Sequence, residues 1–139
     1  MKVLRIYVRI YLAPSALDDA IAFYEAVTGE LCALRFLHPD AGLEVAAVGA
    51  LLLIAGLPER LAPVHATQAT FLVDNLDAAR DTVVAAGGMI LEEPRRVPTG
   101  RNMRVRGIRT TRYASTWNTQ AVPLGKRDCQ WGVIPIGRA

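Results

Sequence analysis

The stretch LDDAIAFYEAVTG, residues 17–29, decides the fold of this 139-residue chain. Its apolar residues recur at helical spacing and form one stripe, which consists of Leu17, Ala20, Ile21, Tyr24 and Val27. Ser15 lies just before the stretch and is a residue type that caps helices, while Asp18 supplies a negative charge in the first turn. The pattern therefore predicts a helix that is capped by Ser15 and ends at Gly29.

Strand patterns surround this helix. The segment Arg5–Leu12 is rich in β-branched and aromatic residues, and alternation puts Tyr7, Arg9 and Tyr11 on one of its faces. Three short apolar runs follow the helix and are separated by turn-forming residues, at Leu31–Leu37, Leu43–Val48 and Leu51–Ala55. The first half of the chain is thus predicted to be a strand, a helix and three strands.

The same order begins again after a Pro-containing linker, Gly56–Ala66. The second half predicts a strand at Thr67–Val73, a helix capped by Asn75, and strands at Met89–Glu92 and Asn102–Arg106. An offset of 59 between the halves produces five identities, which are Leu17/Leu76, Asp18/Asp77, Ala20/Ala79, Ala26/Ala85 and Gly29/Gly88. These identities indicate an internal duplication, and a shared bias in helix composition is the alternative.

Composition and charge exclude several classes of protein. Apolar residues make up 52% of the chain, and the longest uncharged apolar run, residues 45–57, is 13 residues long, against the roughly 20 of a membrane span. The net charge of +3 lies in the tail, because residues 1–106 carry −1 and residues 107–139 carry +4. We therefore expect neither nucleic acid nor a membrane as a partner. Cys32 and Cys129 are an isolated pair, so we expect a reduced, cytoplasmic protein.

The two helix segments and their flanking strands resemble the vicinal oxygen chelate superfamily, which includes glyoxalase I, bleomycin-resistance proteins and extradiol dioxygenases. The first module is recognised by residues 17–29, and the second by Phe71–Arg80 with Ala85–Gly88. The resemblance implies an α+β fold of two βαβββ modules, whose curled mixed sheets enclose a pocket, in a homodimer. It divides a single domain, residues 1–139, into module one (1–56), a linker (57–66), module two (67–106) and an atypical tail (107–139).

Metal-using members of this superfamily place one ligand in the first strand of each module and a Glu in each last strand. Counted back from the strand ends, the first-strand positions fall on Tyr7 and Gln68. A phenol must lose a proton to bind a metal, and residues 51–54 contain no carboxylate. We therefore expect no metal cofactor. The alternative is a divalent metal held partly by Gln68 in a glyoxalase-like lyase or isomerase.

The resemblance directs several side chains toward the pocket, and no residue among them is assigned a catalytic role. The candidate ligand-binding residues are Tyr7, Arg9, Tyr11, Gln68, Thr70 and Glu44. Core packing of the tyrosines and exposed positions for Arg9 and Glu44 are the alternatives. The resemblance and these candidate residues together predict a bacterial, metal-independent small-molecule-binding protein of the glyoxalase/bleomycin-resistance type, which sequesters an apolar or aromatic ligand in a dimer cavity. An interaction module without a small ligand is a further alternative if the tail fills that cavity.

The tail departs from the superfamily pattern, which after Arg106 reads approximately His-Pro-Asp-Gly and then a strand ending in Glu-Tyr. Residues 107–119 read GIRTTRYASTWNT instead. Back-translation with codons of a GC-rich kind, read two bases later, gives His-Pro-Asp-Asp-Pro-Leu-Arg-Glu-Tyr-Val-Glu-His. We hypothesise that residues from about Gly107 onward arise from a frameshift. The predicted last strand of module two is therefore atypical.

This hypothesis makes a prediction about the gene. Sequencing the genomic DNA through codons 105–120 should show codons whose two-base-shifted reading continues the superfamily pattern. Codons that encode the same residues but give no such reading would contradict the frameshift.

Overall fold

The computed structural model describes residues 1–97, 99–107 and 114–120. Their secondary-structure elements follow in chain order, with a 3-10 turn at Pro14–Ala16 before the first helix: β1 (Val3–Leu12), α1 (Leu17–Thr28), β2 (Cys32–His38), β3 (Leu43–Val48), β4 (Leu51–Ala55), α2 (Pro58–Leu61), β5 (Thr67–Val73), α3 (Leu76–Ala85), β6 (Met89–Val97), β7 (Gly100–Arg106) and β8 (Ala114–Gln120). The described part of the chain divides into two compact units. The first unit contains residues 8–65, and the second contains residues 1–7 and the described residues from 66 onward.

The first unit is a mixed sheet with strand order β2-β3-β4-β1. The β1–β4 pairing is parallel, with Val8 opposite Leu51, whereas β2–β3 and β3–β4 are antiparallel. A parallel pair needs a long crossover, and α1 with β2 and β3 supplies it. Leu17 and Ile21 of α1 pack on one face of the sheet, against Ala46, Val48 and Leu53.

The predicted helix is confirmed, while two details of its prediction are wrong. Ser15 does not cap α1, because Pro14 begins a 3-10 turn that includes Ser15, and the N-cap residue is Ala16. Val27 is 65% exposed, because at about 100° per residue it lies roughly 80° around the helix from Leu17. Gly29 ends the helix as predicted, with a left-handed φ of 73° that favours glycine.

The second unit repeats this arrangement with the strand order β5-β8-β7-β6. Its β5–β8 pairing is parallel, and its other pairings are antiparallel. Asn75 caps α3 as predicted, accepting a hydrogen bond from the Ala78 amide at 3.0 Å. The helix packs on the sheet through an apolar cluster of Val73, Leu76, Ala79, Val83, Met103 and Val105. The expected α+β class with βαβββ modules is confirmed.

The described part of the tail completes this second sheet. Strand β8 lies between β5 and β7, with Trp117 opposite Phe71 on one side and Met103 on the other. The rings of Phe71 and Trp117 are stacked, with centroids 4.4 Å apart and an interplanar angle of 11°. The tail thus supplies the last strand of the βαβββ pattern without the expected sequence. Trp131 and Cys129 lie outside the described residues.

Other boundaries differ from the sequence analysis for local reasons. Strand β6 continues to Val97 instead of ending near Glu92, because its pairing with β7 shifts register between Glu92 and Arg95 and so accommodates Pro94. The predicted linker contains α2. Cys32 is buried as expected, but it is disulfide-bonded, so the expectation of a reduced thiol there is wrong. Within the described residues, no helix has the length and apolar character needed to cross a membrane.

The packing of β8 leads to a prediction about stability. Replacing Trp117 by Ala should lower the free energy of unfolding by about 3 kcal/mol, since it removes the ring that covers Phe71 and the α3 cluster. Urea unfolding followed by circular dichroism measures this loss. Leu31→Ala is the control, because Leu31 is 80% exposed and its removal should change little. Equal effects of the two substitutions would contradict the assigned role of β8.

Candidate functional site

Each sheet has one face under a helix, and the chemistry of the other face differs between the two units. In the first unit this second face carries a transverse row of directly opposed residues, Tyr11, Ile54, Val45 and Phe36. Phe36, Val45 and Ile54 are buried in a cluster that also includes Leu61 of α2 and Val64. We call this surface the apolar face. It is covered by residues of its own unit.

Tyr11, a candidate binding residue, helps to hold that cover in place. Its hydroxyl donates to the Val64 carbonyl at 2.7 Å and accepts from Arg9 Nη1 at 3.3 Å. The ring of His65, an exposed residue of the linker, stacks on Tyr11 with centroids 5.1 Å apart. Tyr11 and Arg9 are therefore engaged with the linker that follows β4.

Glu44 lies on the opposite face from the one expected. Strand β3 directs Ala46 and Val48 toward α1, and alternation puts Glu44 on the same side. There Glu44 Oε2 lies 3.2 Å from Arg35 Nε. Glu44 thus belongs to an ion pair beside α1, and its assignment to the pocket is wrong.

Arg35 is the residue in this region that sequence reasoning missed. Its side chain is only 5% exposed, and its guanidinium also contacts Asp18 Oδ1 at 2.7 Å. Burial opposes the charge of Arg35, but hydrogen bonds to Asp18 and Glu44 outweigh it and raise the pKa of Arg35. Arg35 therefore ties the start of α1 to the sheet.

The second unit carries a polar surface on the face opposite α3. Directly opposed positions across its four strands are Thr70, Thr116, Arg104 and Glu92, and a neighbouring row is Leu72, Asn118, Asn102 and Arg95. Met103 and Val105 of β7 pack toward α3, so Asn102 and Arg104 point to the other side. We call the surface formed by Gln68, Thr70, Leu72, Glu92, Arg95, Asn102 and Arg104 the polar face.

Burial and charge vary across the polar face. Thr70 is 3% exposed and Leu72 is 6% exposed, whereas Gln68 is exposed. Toward β6, Glu92 Oε1 lies 3.5 Å from Arg104 Nη2, and Glu92 Oε2 lies 3.3 Å from Arg95 Nη2. The sequence analysis identified Gln68 and Thr70 on this face. It missed Arg104, Arg95 and Glu92, and the alternation along Asn102–Arg106 is a signal for Arg104 alone.

The positions where the resemblance places metal ligands do not fit a metal ion. Tyr7, in the second unit, is 6% exposed, and burial raises the pKa of its phenol above 10.0 despite the opposing charge of Arg5. The phenol therefore stays protonated at neutral pH. If the ligand positions are instead counted back eight residues from the first residue of each helix, they fall on Arg9 and Gln68. The guanidinium of Arg9 is positively charged and repels a metal cation. The described chain contains no group of three His, Cys, Asp or Glu residues placed to hold a metal.

Comparisons with known proteins agree with this architecture. Neither a protein-family model nor a curated protein sequence matches the chain. A hypothetical, uncharacterised protein from Methanosarcina mazei is 40% identical, with a TM-score of 0.78 over 89% of this chain and 98% of that chain. Methylmalonyl-CoA epimerase from Mycobacterium tuberculosis is 20% identical, with a TM-score of 0.64 over 86% and 90%. A variant of the Streptomyces coelicolor methylmalonyl-CoA epimerase, in complex with 2-nitronate-propionyl-CoA, is 20% identical, with a TM-score of 0.58 over 87% and 100%.

The contacts of Tyr11 make a prediction about the linker. Tyr11→Phe removes the hydrogen bond to Val64 and should lower the free energy of unfolding by about 1 kcal/mol. Loosening of the linker should also speed tryptic cleavage after the exposed Arg60. Urea unfolding and a timed tryptic digest measure the two effects.

Tyr24→Phe is the matched control, because Tyr24 packs against the α1 side of the same sheet. It should leave the rate of cleavage after Arg60 unchanged. If Tyr11→Phe behaves like this control, Tyr11 does not hold the linker.

Proposed function

Because the chain belongs to the vicinal oxygen chelate superfamily, we propose that it is a metal-independent small-molecule-binding protein whose ligand lies on the polar face of the second unit. The observation that carries the proposal is the row of Thr70, Arg104 and Glu92 on the sheet of the second unit. At the equivalent positions the first unit has an apolar row, which Leu61 and Val64 cover. Polar and charged side chains on a partly buried sheet surface supply the groups that orient a small ligand in a binding site.

Chemically distinct groups on the polar face support binding of a ligand with an apolar or aromatic part. Leu72 and Thr70 are 6% and 3% exposed and form the buried border of the face at β5. Gln68 is exposed on the same strand, and its amide can donate and accept hydrogen bonds. Such a group can orient a ligand through hydrogen bonds at the edge of this border.

The donor chemistry supports a function without a metal. Tyr7 is a buried phenol and Arg9 is a cation, so neither completes a ligand set with Gln68. The competing function is a divalent-metal-dependent lyase or isomerase, and the epimerases among the similar structures provide its motivation. At about 20% identity those structures share the fold with this chain, and their reaction is not transferred to it.

We further propose that the protein is a homodimer. The outer side of α1 supports dimerisation, because Phe23 and Val27 are 59% and 65% exposed there. The corresponding positions of α3, at the offset of 59, are Thr82 and the small residue Ala86. On α3 the large exposed apolar residue is Val84, which is 50% exposed, whereas α1 presents Phe23 and Val27 one turn apart, and neighbouring exposed apolar side chains are typical of a surface that another chain covers.

The proposal predicts ligand-induced stabilisation. Among neutral aromatic compounds such as benzyl alcohol and indole, at least one should raise the melting temperature of the full chain, by the equivalent of about 2.7 kcal/mol at a hundredfold excess over Kd. Gln68→Ala should weaken its binding about fivefold, which corresponds to one neutral hydrogen bond. Thr82→Ala is the control, because Thr82 is exposed on α3, away from the polar face.

Two measurements on the same preparation complete this test. Elemental analysis of protein purified without chelator should find no stoichiometric transition metal, and light scattering should give twice the chain mass of 15.1 kDa. A near-stoichiometric metal would support the lyase or isomerase instead. Absence of stabilisation by every compound would contradict small-molecule binding.

A further inference from the structure

We propose that the ligand of the polar face carries an oxyanion, a carboxylate or a phosphate, which Arg104 and Arg95 bind in competition with Glu92. This inference rests on the proposed function and specifies the ligand class of the same site. It is carried by the arrangement of three charged side chains on β6 and β7.

The fold itself does not require charges at these positions. In the first unit the row equivalent to Thr70, Thr116, Arg104 and Glu92 ends in Val45 and Phe36, which are 8% and 7% exposed and belong to an apolar cluster. Both rows lie on the face of the sheet that the module's long helix leaves uncovered. The same architecture is therefore stable with an apolar row, and the charged pair on β6 and β7 is a specific feature of the second unit.

The ion pairs of Glu92 are longer than those of the adjacent residue Glu93. Glu93 forms a two-pronged pair with Arg80, in which Nε–Oε2 and Nη2–Oε1 distances are 2.6 and 2.8 Å. Glu92 instead reaches one nitrogen of Arg104 at 3.5 Å and one of Arg95 at 3.3 Å, both longer than the about 2.7–2.9 Å of strong charge-assisted bonds. A ligand oxyanion that binds either guanidinium in the two-pronged manner therefore has stronger contacts than Glu92 makes.

The three charged side chains described on this part of the face carry a net positive charge. Arg104 and Arg95 contribute two positive charges, and Glu92 contributes one negative charge. A singly charged anion neutralises the cluster, whereas a cationic ligand would add to its positive charge. The polar face therefore favours an anion over a cation of the same size.

Burial makes this preference stronger at Arg104 than at Arg95. The side chain of Arg104 is 27% exposed, against 60% for Arg95 and 36% for Glu92. Coulombic attraction is less screened where water is partly excluded, so Arg104 should contribute more of the anion affinity. Asn102, the neighbour of Arg104 on the same side of β7, can donate a further hydrogen bond through its amide.

Three aromatic probes test this inference on the full chain. Benzoate, phenyl phosphate and benzyl alcohol share an aromatic ring and differ in the carboxylate, phosphate or neutral hydroxyl attached to it. Isothermal titration at low and high NaCl should give at least tenfold tighter binding of one anion than of benzyl alcohol, and salt should weaken the anion alone. The stronger of the two anions identifies the oxyanion.

Three substitutions separate the roles of the side chains. Arg104→Gln should weaken binding of the anion at least tenfold and leave benzyl alcohol unchanged. Glu92→Gln should strengthen anion binding about threefold or more, because it removes the competing carboxylate. Arg80→Gln is the matched control, since it removes the same charge from α3, where Arg80 pairs with Glu93, and should alter neither affinity.

The results distinguish the inference from the proposal on which it rests. If benzyl alcohol binds as tightly as both anions, or if Arg104→Gln behaves like Arg80→Gln, the anion preference is wrong while small-molecule binding stands. If Glu92→Gln weakens the anion, Glu92 does not compete with it. If none of the three probes binds at millimolar concentration, the inference is wrong, and a response to indole alone would still support the proposed function.

Discussion

Each βαβββ unit has one long helix and a sheet with two faces. The helix covers one face, so the second face must either be covered by other residues or carry side chains that tolerate water. Leu17 in the first unit and Leu76 in the second are each 1% exposed, and they anchor the helices to their sheets. Apolar sheet surface left in water is costly, at about 25 cal/mol per Å². The first unit covers its second face with Leu61 and Val64, and the second unit has polar side chains there. This difference makes the second unit the better candidate for ligand binding.

The sequence predicted the elements well because their signals are local. The α1 stripe from Leu17 to Tyr24, the Asn75 cap and Gly29 depend on residues a few positions apart, and the structure confirms them, whereas Val27 is exposed. In strand β3, local sequence signals do not predict the face on which a side chain lies. Its sequence LEVAAV is apolar on both sides of Glu44, so alternation does not reveal which face the carboxylate occupies. Only the packing of Ala46 against α1 and the buried Arg35 determine that face.

The candidate site was partly predictable for a related reason. Gln68 and Thr70 lie on a strand that the repeat itself identifies, whereas Glu92 and Arg95 lie in a segment with the appearance of a charged loop. A register shift between Ile90 and Glu92 brings Glu92 opposite Arg104, and a second shift, between Glu92 and Arg95, accommodates Pro94 and brings Arg95 opposite Asn102. Such a shift depends on the pairing of two strands and leaves no periodic signal in either sequence. A prediction based on one strand at a time therefore misses the charged half of the face.

Strand β8 explains how the second unit retains its sheet although the tail lacks the superfamily pattern. Strand pairing uses backbone N–H and C=O groups, which every residue except proline provides in full. The segment ASTWNTQ contains no proline and includes Thr and Trp, which favour strands. Its one described side chain, Trp117, covers Phe71 and so completes the apolar cluster under α3. The position of the last strand between β5 and β7 therefore imposes modest demands on sequence, and residues 114–120 meet them without the superfamily pattern.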